Sequence, residues 1–405
     1  MTLKNSQPKQ HKLKLVTVVG TRPEVIKLSE TIKKCDEFFE HTIVHTGQNY
    51  DYTLNQIFFD ELKIREPDHY LDAAGEHLGA TLGNVIAKSY SLLSKIKPDA
   101  VLLLGDTNSA LAAISAKRLK IPIFHMEAGN RCFDQNVPEE INRKIIDHIS
   151  DVNLPYTEHA RRYLLNEGLK PEYTIVTGSP MLEVLQTNQD IIKYNDVLDR
   201  LDLKENEYFV LSTHREENVD SEQAFNKLIN SANAIANYYN KTIVFSVHPR
   251  TRQWLKSRAP KLHNLIKICE PFGFSDYIKL QQYAYCVISD SGTLSEESAI
   301  LEFPAISVRT STERPEGIDA GGMILAGLDS ENIINSINLA VAAFEDTGLY
   351  RKPDAYIEDN VSYKVVKIIQ GYTGLINEFI WRKNNKNKSK ETTSKHQRYQ
   401  TTEPS

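Results

Sequence analysis

LLLGDTNSALAAISAKRLKIPIFHMEAGNRCFDQNVPEEINR, residues 102–143, decides the fold. The apolar run Val101 to Leu104 stops at Gly105 and Asp106. A helix-forming stretch follows, then a second apolar run, Ile121 to Met126, closed by Glu127. Short apolar runs flanked by breakers are the pattern of strands buried on both faces of a parallel sheet. Ligands of such sheets bind outside the carboxyl ends of the strands. Asp106 and Glu127 are therefore expected to face one crevice, with Glu139 nearby on a loop. Several carboxylates converging on one ligand suit proton transfer.

The same alternation extends in both directions. LKLVTVVG (13–20) precedes a helix that carries Pro23 in its first turn, where a missing N–H costs nothing. HTIVHTG (41–47), SDVNL (150–154) and YTIVTGSP (173–180) complete a first series of strands. After the polar stretch 183–207 a second series runs through 208–214, 242–248, 265–269, 285–292 and 305–309, with helices such as 222–238 and 294–301 between. The expectation is an α/β protein of two doubly wound units, residues 13–185 and 186–361, with a cleft between them. Residues 362–382 have helical periodicity at Val365, Ile369, Tyr372, Ile376 and Phe379, with Gly371 and Gly374 as places for a kink. That helix is expected to pack back across the junction. The polar ends, 1–12 and 383–405, are expected to be disordered.

Length and composition narrow the function. A chain of 405 residues is long for a single core. Its net charge of −5, with no basic concentration in the body, argues against nucleic acid or an anionic membrane as partner. No apolar run approaches the roughly 20 residues that span a bilayer, and no signal segment follows the N-terminal lysines. Cys35, Cys132, Cys269 and Cys286 lack regular spacing and read as reduced thiols of a cytoplasmic protein, Cys132 alone lying in the site loop. No HExxH or CxxC marks a metal site, no GxGxxG follows a strand to hold NAD, and no P-loop is present. No metal and no cofactor are expected.

Other stretches carry chemistry. DSGTLSEES (290–298) follows a strand and opens a helix, so Ser291, Gly292 and Thr293 offer N–H groups and hydroxyls either to a diphosphate or as a plain N-cap, with Glu297 in the first turns. Arg314, in RTSTERPEGIDAGG (309–322), either clamps a phosphate or pairs with Glu313 or Glu316 on the surface. Arg22 and Lys27 open a helix, where basic groups oppose the helix dipole and so point to anion binding. His214 and His248 each end a strand and face the cleft, whereas His125, inside a strand, reads as packing.

Together GTRPEVIK (20–27), TGQNYD (46–51), GDTNSALA (105–112), HMEAGNRCFDQNVPEEINR (125–143), THREEN (213–218), VHPR (247–250), DSGTLSEES (290–298) and TERPEG (312–317) resemble the non-hydrolysing UDP-N-acetylglucosamine 2-epimerases, colinearly from about residue 13 to 380. The resemblance implies two Rossmann-like domains in the GT-B arrangement, a UDP-amino-sugar as substrate, and a homodimer. It implies that Arg22, Lys27, Asp106, Glu127, Glu139 and His214 are active-site positions, of which Asp106, Glu127, Glu139 and His214 are the catalytic candidates. Ser291, Gly292, Thr293, Glu297 and Arg314 match nucleotide-diphosphate contacts, and His248 a further cleft histidine.

The chain departs from the common pattern at SGT (291–293), at HMEAGNRC (125–132) and at TGQN (46–49), the last in a stretch that helps the family hold an activating second UDP-sugar. These variants resemble the capsule and O-antigen branch, which converts UDP-2-acetamido-2,6-dideoxy-L-talose to UDP-N-acetyl-L-fucosamine. Three other expectations compete: an epimerase of the UDP-N-acetylglucosamine/UDP-N-acetylmannosamine pair, a retaining glycosyltransferase on the same architecture, and a non-catalytic UDP-sugar-binding protein, which leaves the three carboxylates without a purpose.

Overall fold

The structure, a computed structural model, describes residues 12–47, 56–347 and 352–383. It contains two sheets of six strands, every recorded pairing parallel. The first comprises β1 (Lys14–Val19), β2 (Glu40–His45), β3 (His69–Tyr70), β4 (Ala100–Leu104), β5 (Ile123–Met126) and β6 (Val152–Leu154), in the order β3-β2-β1-β4-β5-β6. The second comprises β7 (Tyr208–Ser212), β8 (Thr242–Ser246), β9 (Ile266–Cys269), β10 (Cys286–Ser289), β11 (Ala305–Ser307) and β12 (Ile324–Leu325), in the order β12-β11-β10-β7-β8-β9. Each sheet winds outward in both directions from one central pair, β1 with β4 and β7 with β10. The crevice where the winding reverses is the place for a ligand in such sheets. β4 is buried along its whole length, which is why its sequence is an unbroken apolar run.

Three expectations change. YTIVTGSP (173–180) is not a strand: only Thr174 bridges to Asn153, and the chain then turns away through Gly178 at φ +84°. β3 and β12 were not foreseen, because edge strands of two residues carry no periodic signal. The C-terminal helix Val361–Leu375 is uninterrupted at Gly371 and Gly374, and its irregularity comes later, in a π-helical turn at Ile376–Ile380. A wider turn rotates the following side chains off the helix face, so Phe379 is 63% exposed while Val365, Ile369 and Ile376 stay buried.

Those buried residues share one core with Val25, Leu28 and Ile32 of helix Arg22–Phe38, so the end of the chain returns to the first lobe. The polar stretch 183–207 forms short helices, Met181–Thr187, Gln189–Lys193 and Val197–Arg200. Across the lobes, the Glu61 carboxylate accepts from the Ser275 N–H at 2.9 Å, capping helix Phe274–Gln282. The four cysteines are free thiols. Residues 1–11 and 384–405, for which disorder is expected, and Asn49, Tyr50 and Asp51 of the TGQN stretch lie outside the described residues.

Candidate active site

The turn after β1 is built around a capping box. Glu24 Oε2 accepts from the Gly20 and Thr21 N–H groups at 2.9 and 2.7 Å, and its Oε1 accepts from the Thr107 hydroxyl at 2.7 Å. Glu24 thereby ties the turn after β1 to the loop carrying Asp106. Burial pushes its carboxyl up to about 7 despite the hydrogen bonds from Thr107, Thr21 and the Gly20 amide. Only glycine fits at position 20: a Cβ there would stand 2.0 Å from Thr46 Oγ1 and 2.1 Å from Ser109 Oγ.

The tips of β4 and β5 hold Asp106 and Glu127; Glu139, expected on a loop, lies instead in the helix beyond. Gly105 turns the chain at φ +70°, and its carbonyl oxygen lies 2.8 Å from His125 Nε2. The other imidazole nitrogen faces Asp147 Oδ1 at 3.0 Å, and Asp147 in turn pairs with Arg131 at 2.7 Å. His125 is thus a strut for the strand tip as well as a buried packing residue. Asp106 Oδ2 accepts from Arg143 Nε at 2.7 Å, and Arg143 Nη1 donates to Glu140 Oε2 at 2.8 Å.

Glu139 sits in the first turn of helix Pro138–Ile149. Burial, and next the like charge of Asp106, raise its carboxyl above the ordinary range against Arg215 and Arg143. Glu127 has a left-handed backbone at φ +62°, rare for a side chain of this size and strained wherever it occurs. Its carboxylate accepts from Lys27 Nζ at 2.7 Å and from Arg314 Nη2 at 2.6 Å. Glu127 Oε2 also reaches to 3.9 Å of where a Cβ on Gly105 would stand, so it borders the turn that presents Asp106.

The second lobe contributes the tips of β7 and β10. Asp290, fully buried, accepts from the His214 and Arg215 backbone N–H groups at 3.1 Å and faces His214 Nδ1 at 3.3 Å. The His248 ring lies 5.7 Å from that of His214. Burial lowers both imidazoles below their ordinary value; for His248, with His214, Arg22 and Arg250 adding to it, the value falls to about 4. Ser291 and Thr293 hydroxyls lie 3.0 Å apart at the start of helix Leu294–Leu301. Gly292 passes beneath Glu313, where a Cβ would stand 2.4 Å from Oε1. Glu313 is itself held by Arg215 at 3.2 Å and Arg309 at 2.6 Å.

Arg22, Lys27, His214, Ser291, Thr293 and Glu297 line one pocket between the lobes, walled by Phe58, Phe274 and Tyr277. Arg22 forms no ion pair among the described residues, and burial works against its charge with Tyr277 and Glu297 opposing. Such a guanidinium is ready for an anionic ligand. Glu297 accepts from Gln281 Nε2 at 2.7 Å and has its carboxyl raised, chiefly by burial.

Arg314 departs from the expected place. It does face Glu316, at 3.7 Å from Nη1, but not on the surface: it is buried between Glu127 and Glu296, both 2.6 Å from its Nη2. Sequence reasoning passed over Glu24, Arg143, Asp290 and Glu296. The T-x-x-E of a capping box pointed to Glu24; nothing local pointed to the others, whose partners are distant in the chain. Among the described residues no group of three His, Cys, Asp or Glu side chains is placed to hold a metal ion, and no helix is long and apolar enough to cross a membrane.

A family model described as UDP-N-acetylglucosamine 2-epimerase matches residues 32–370. A UDP-N-acetylglucosamine 2-epimerase of Methanococcus maripaludis is 39% identical over 80% of this chain and 90% of its own. A UDP-2,3-diacetamido-2,3-dideoxy-D-glucuronate 2-epimerase of Pseudomonas aeruginosa is 32% identical over 83% and 95%. The solved structure of a UDP-N-acetylglucosamine 2-epimerase from Rickettsia bellii is 47% identical, with a TM-score of 0.85 over 92% of this chain and 100% of that one. The Methanocaldococcus jannaschii UDP-GlcNAc 2-epimerase, solved with UDP-GlcNAc and UDP, is 34% identical with a TM-score of 0.83 over 88% and 99%. Two parallel sheets wound from their centres, a pocket between the lobes lined by Arg22, Lys27, His214 and Glu297, and these likenesses place the chain in the UDP-N-acetylglucosamine 2-epimerase family, the non-hydrolysing enzymes that invert C2 of a UDP-sugar.

Proposed function

We propose that this chain converts UDP-2-acetamido-2,6-dideoxy-L-talose to UDP-N-acetyl-L-fucosamine for surface polysaccharide synthesis, by elimination of UDP and its re-addition. The C2 hydrogen of a 2-acetamido sugar is not next to a carbonyl, so direct deprotonation is too costly. In the route proposed, the C1–O bond to UDP breaks with oxocarbenium character and a carboxylate takes the C2 proton. A glycal and UDP remain. A carboxylic acid then returns a proton to the opposite face of C2 as UDP adds back to C1, so no redox partner is consumed.

The route has three requirements. The departing diphosphate needs fixed positive charge and donors, for which Arg22, Lys27, His214 and the Ser291–Thr293 loop are our candidates, with His248 beside His214. C2 needs a proton-transfer group on each face; Asp106, Glu127 and Glu139 are the candidates, and Glu139 is the one whose surroundings favour its protonated form. The intermediate must be kept from water, a role for the Phe58, Phe274 and Tyr277 walls. The observation that carries the reading is Asp106 and Glu127 at the tips of β4 and β5 and Glu139 on the helix beyond, with Lys27 joining Glu127 to the cationic pocket.

The choice of sugar rests on the RCFDQNVPEE and SDSGTLSEES stretches. A UDP-N-acetylglucosamine/UDP-N-acetylmannosamine pair is the second reading, favoured by the naming of the Methanococcus relative; the Pseudomonas relative is named for a different sugar again. Proton NMR of the enzyme with each UDP-sugar alone, in deuterated water, tests all of this. The C2 isomer of the 6-deoxy-L-talo sugar should form with deuterium at C2. Turnover confined to UDP-N-acetylglucosamine would select the second reading, isomer without solvent deuterium would refute the elimination route, and slow hydrolysis alone would favour a glycosyltransferase. We read the working form as a cytoplasmic homodimer, for which sedimentation should give twice the chain mass.

A further inference from the structure

Glu127 does not hold its two cations alone. Glu296, fully buried in helix Leu294–Leu301 of the other lobe, brings Oε1 to 2.6 Å of Arg314 Nη2 and 3.8 Å of Lys27 Nζ. Arg314 Nη2 also lies 2.6 Å from Glu127 Oε1. Those two carboxylate oxygens, each so close to the same nitrogen, are therefore no more than twice that distance apart. The two contacts differ in kind. The Arg314 N–H is directed at Glu127, whereas Glu296 Oε1 accepts no directed hydrogen bond and acts through its charge. The other Glu296 oxygen is anchored by the Ser179 hydroxyl. Burial works against the Glu296 charge, yet Arg314, Lys27 and Ser179 outweigh it and hold the carboxyl below its ordinary value. Glu296 is the fixed anion of the pair, and Glu127, with 13% of its side chain exposed where Glu296 has none, is the one placed to exchange a proton.

We infer that Glu296 is a positioning residue for proton transfer: by sharing Lys27 and Arg314 it divides their charge between two carboxylates, so that two cations orient Glu127 without Glu127 having to neutralise both. The inference rests on Glu127 being one of the proton-transfer groups proposed above. The charged and titratable groups that face Glu127 come from four places: Lys27 on helix Arg22–Phe38, Glu296 on helix Leu294–Leu301, Arg314 ahead of helix Pro315–Asp319, and the Tyr156 phenol after β6. The Tyr156 ring lies beside both cations, 5.9 Å from Lys27 Nζ and 5.6 Å from Arg314 Cζ. Tyr156 is neutral, because burial and next the charges of Glu127 and Glu296 raise its hydroxyl well above its ordinary value. Remove the Glu296 charge and Glu127 faces two cations with no competitor. Its carboxylate then gives up its negative charge less readily.

The test is the pH profile of kcat for Glu296→Gln, which keeps an acceptor for Ser179, measured beside Glu296→Asp and Glu127→Gln. The expected result is a KM within threefold of wild type, a kcat lower by about tenfold or more, and one limb of the profile displaced to lower pH by about one unit while the other stays. Glu296→Asp, whose carboxylate is withdrawn from both cations, should recover part of both, leaving a smaller loss and a smaller displacement of the same limb. An unchanged kcat and profile in Glu296→Gln overturns the inference. So does a loss that follows a fall in melting temperature with neither limb displaced. If Glu296→Gln fails to fold, Glu296→Asp decides: its withdrawn carboxylate should give a smaller loss with a displaced limb, and a wild-type profile overturns the inference. Glu127→Gln separates the two levels: wild-type activity there defeats the role of Glu127 itself, whereas its loss beside an unaltered Glu296→Gln defeats only the role of Glu296.

Discussion

Replacing Asp106 by asparagine should separate chemistry from folding. Asp106 Oδ2 accepts from Arg143 Nε at 2.7 Å, but 27% of the Asp106 side chain is exposed, and Arg143 keeps Glu140 at 2.8 Å. A buried charge-assisted hydrogen bond contributes about 1.5–3 kcal/mol. Solvent screening and an amide oxygen that still accepts reduce the expected loss to about 1 kcal/mol, which for a chain of this size lowers the melting temperature by roughly 2–4 °C or less.

The catalytic cost is larger. A positioned acid–base group contributes at least ~10²-fold, about 2.7 kcal/mol of transition-state stabilisation. A third effect is specific to this geometry. Asp106 is the like charge that, after burial, raises the Glu139 carboxyl, so the limb of the kcat profile that Glu139 governs should move to lower pH in the variant. NMR-monitored epimerisation across pH, with thermal denaturation alongside, reads all three. A kcat within threefold of wild type, or a hundredfold loss with both limbs in place, would refute the coupling of Asp106 to Glu139.

Further outcomes follow from the same contacts. Glu139→Gln should slow turnover by about 10²-fold yet melt above wild type at neutral pH. A carboxyl raised in the folded state contributes stability below its unfolded value and loses it as pH rises through the folded value, so the difference should close below about pH 4. Gly292→Ala drives a methyl to within 2.4 Å of Glu313 Oε1, against ion pairs to Arg215 and Arg309. Overpacking of this kind costs about 1–3 kcal/mol, and the displaced Ser291–Thr293 loop should raise KM for the UDP-sugar by roughly tenfold, read by initial rates and calorimetric titration with UDP.

What was legible from sequence was what the chain states locally. Val101 to Leu104 is a continuous apolar run because a central parallel strand is buried on both faces, and it stops where the strand emerges at Gly105 and Asp106. The same logic located Glu127, His214 and the Ser291 loop at strand ends. What was not legible depends on pairing across distance. Arg314 and Glu127 are 187 positions apart, and no period or motif says that Arg314 turns inward to meet Glu127 and Glu296. YTIVTGSP has the composition of a strand and starts along β6, with Ile175 and Thr177 N–H on the Asn153 and Pro155 carbonyls, but Ser179 N–H then goes to the Ala355 carbonyl, and Gly178 lies beneath Glu358, where a Cβ would meet the side chain at 2.5 Å. Composition proposes a partner; only the rest of the fold supplies one.

The return of the C-terminal helix to the first lobe has a mechanical outcome. The polypeptide crosses between lobes once through the short helices after Met181 and again on its way to Val361, so the halves are joined by two tethers. Two tethers define an axis: the halves can swing about it but resist twisting or sliding apart. Glu61 fastens them at Ser275, beside the Phe58 and Phe274 walls of the pocket. The Arg314–Glu127 contact at 2.6 Å joins the same halves once more, between cation and carboxylate.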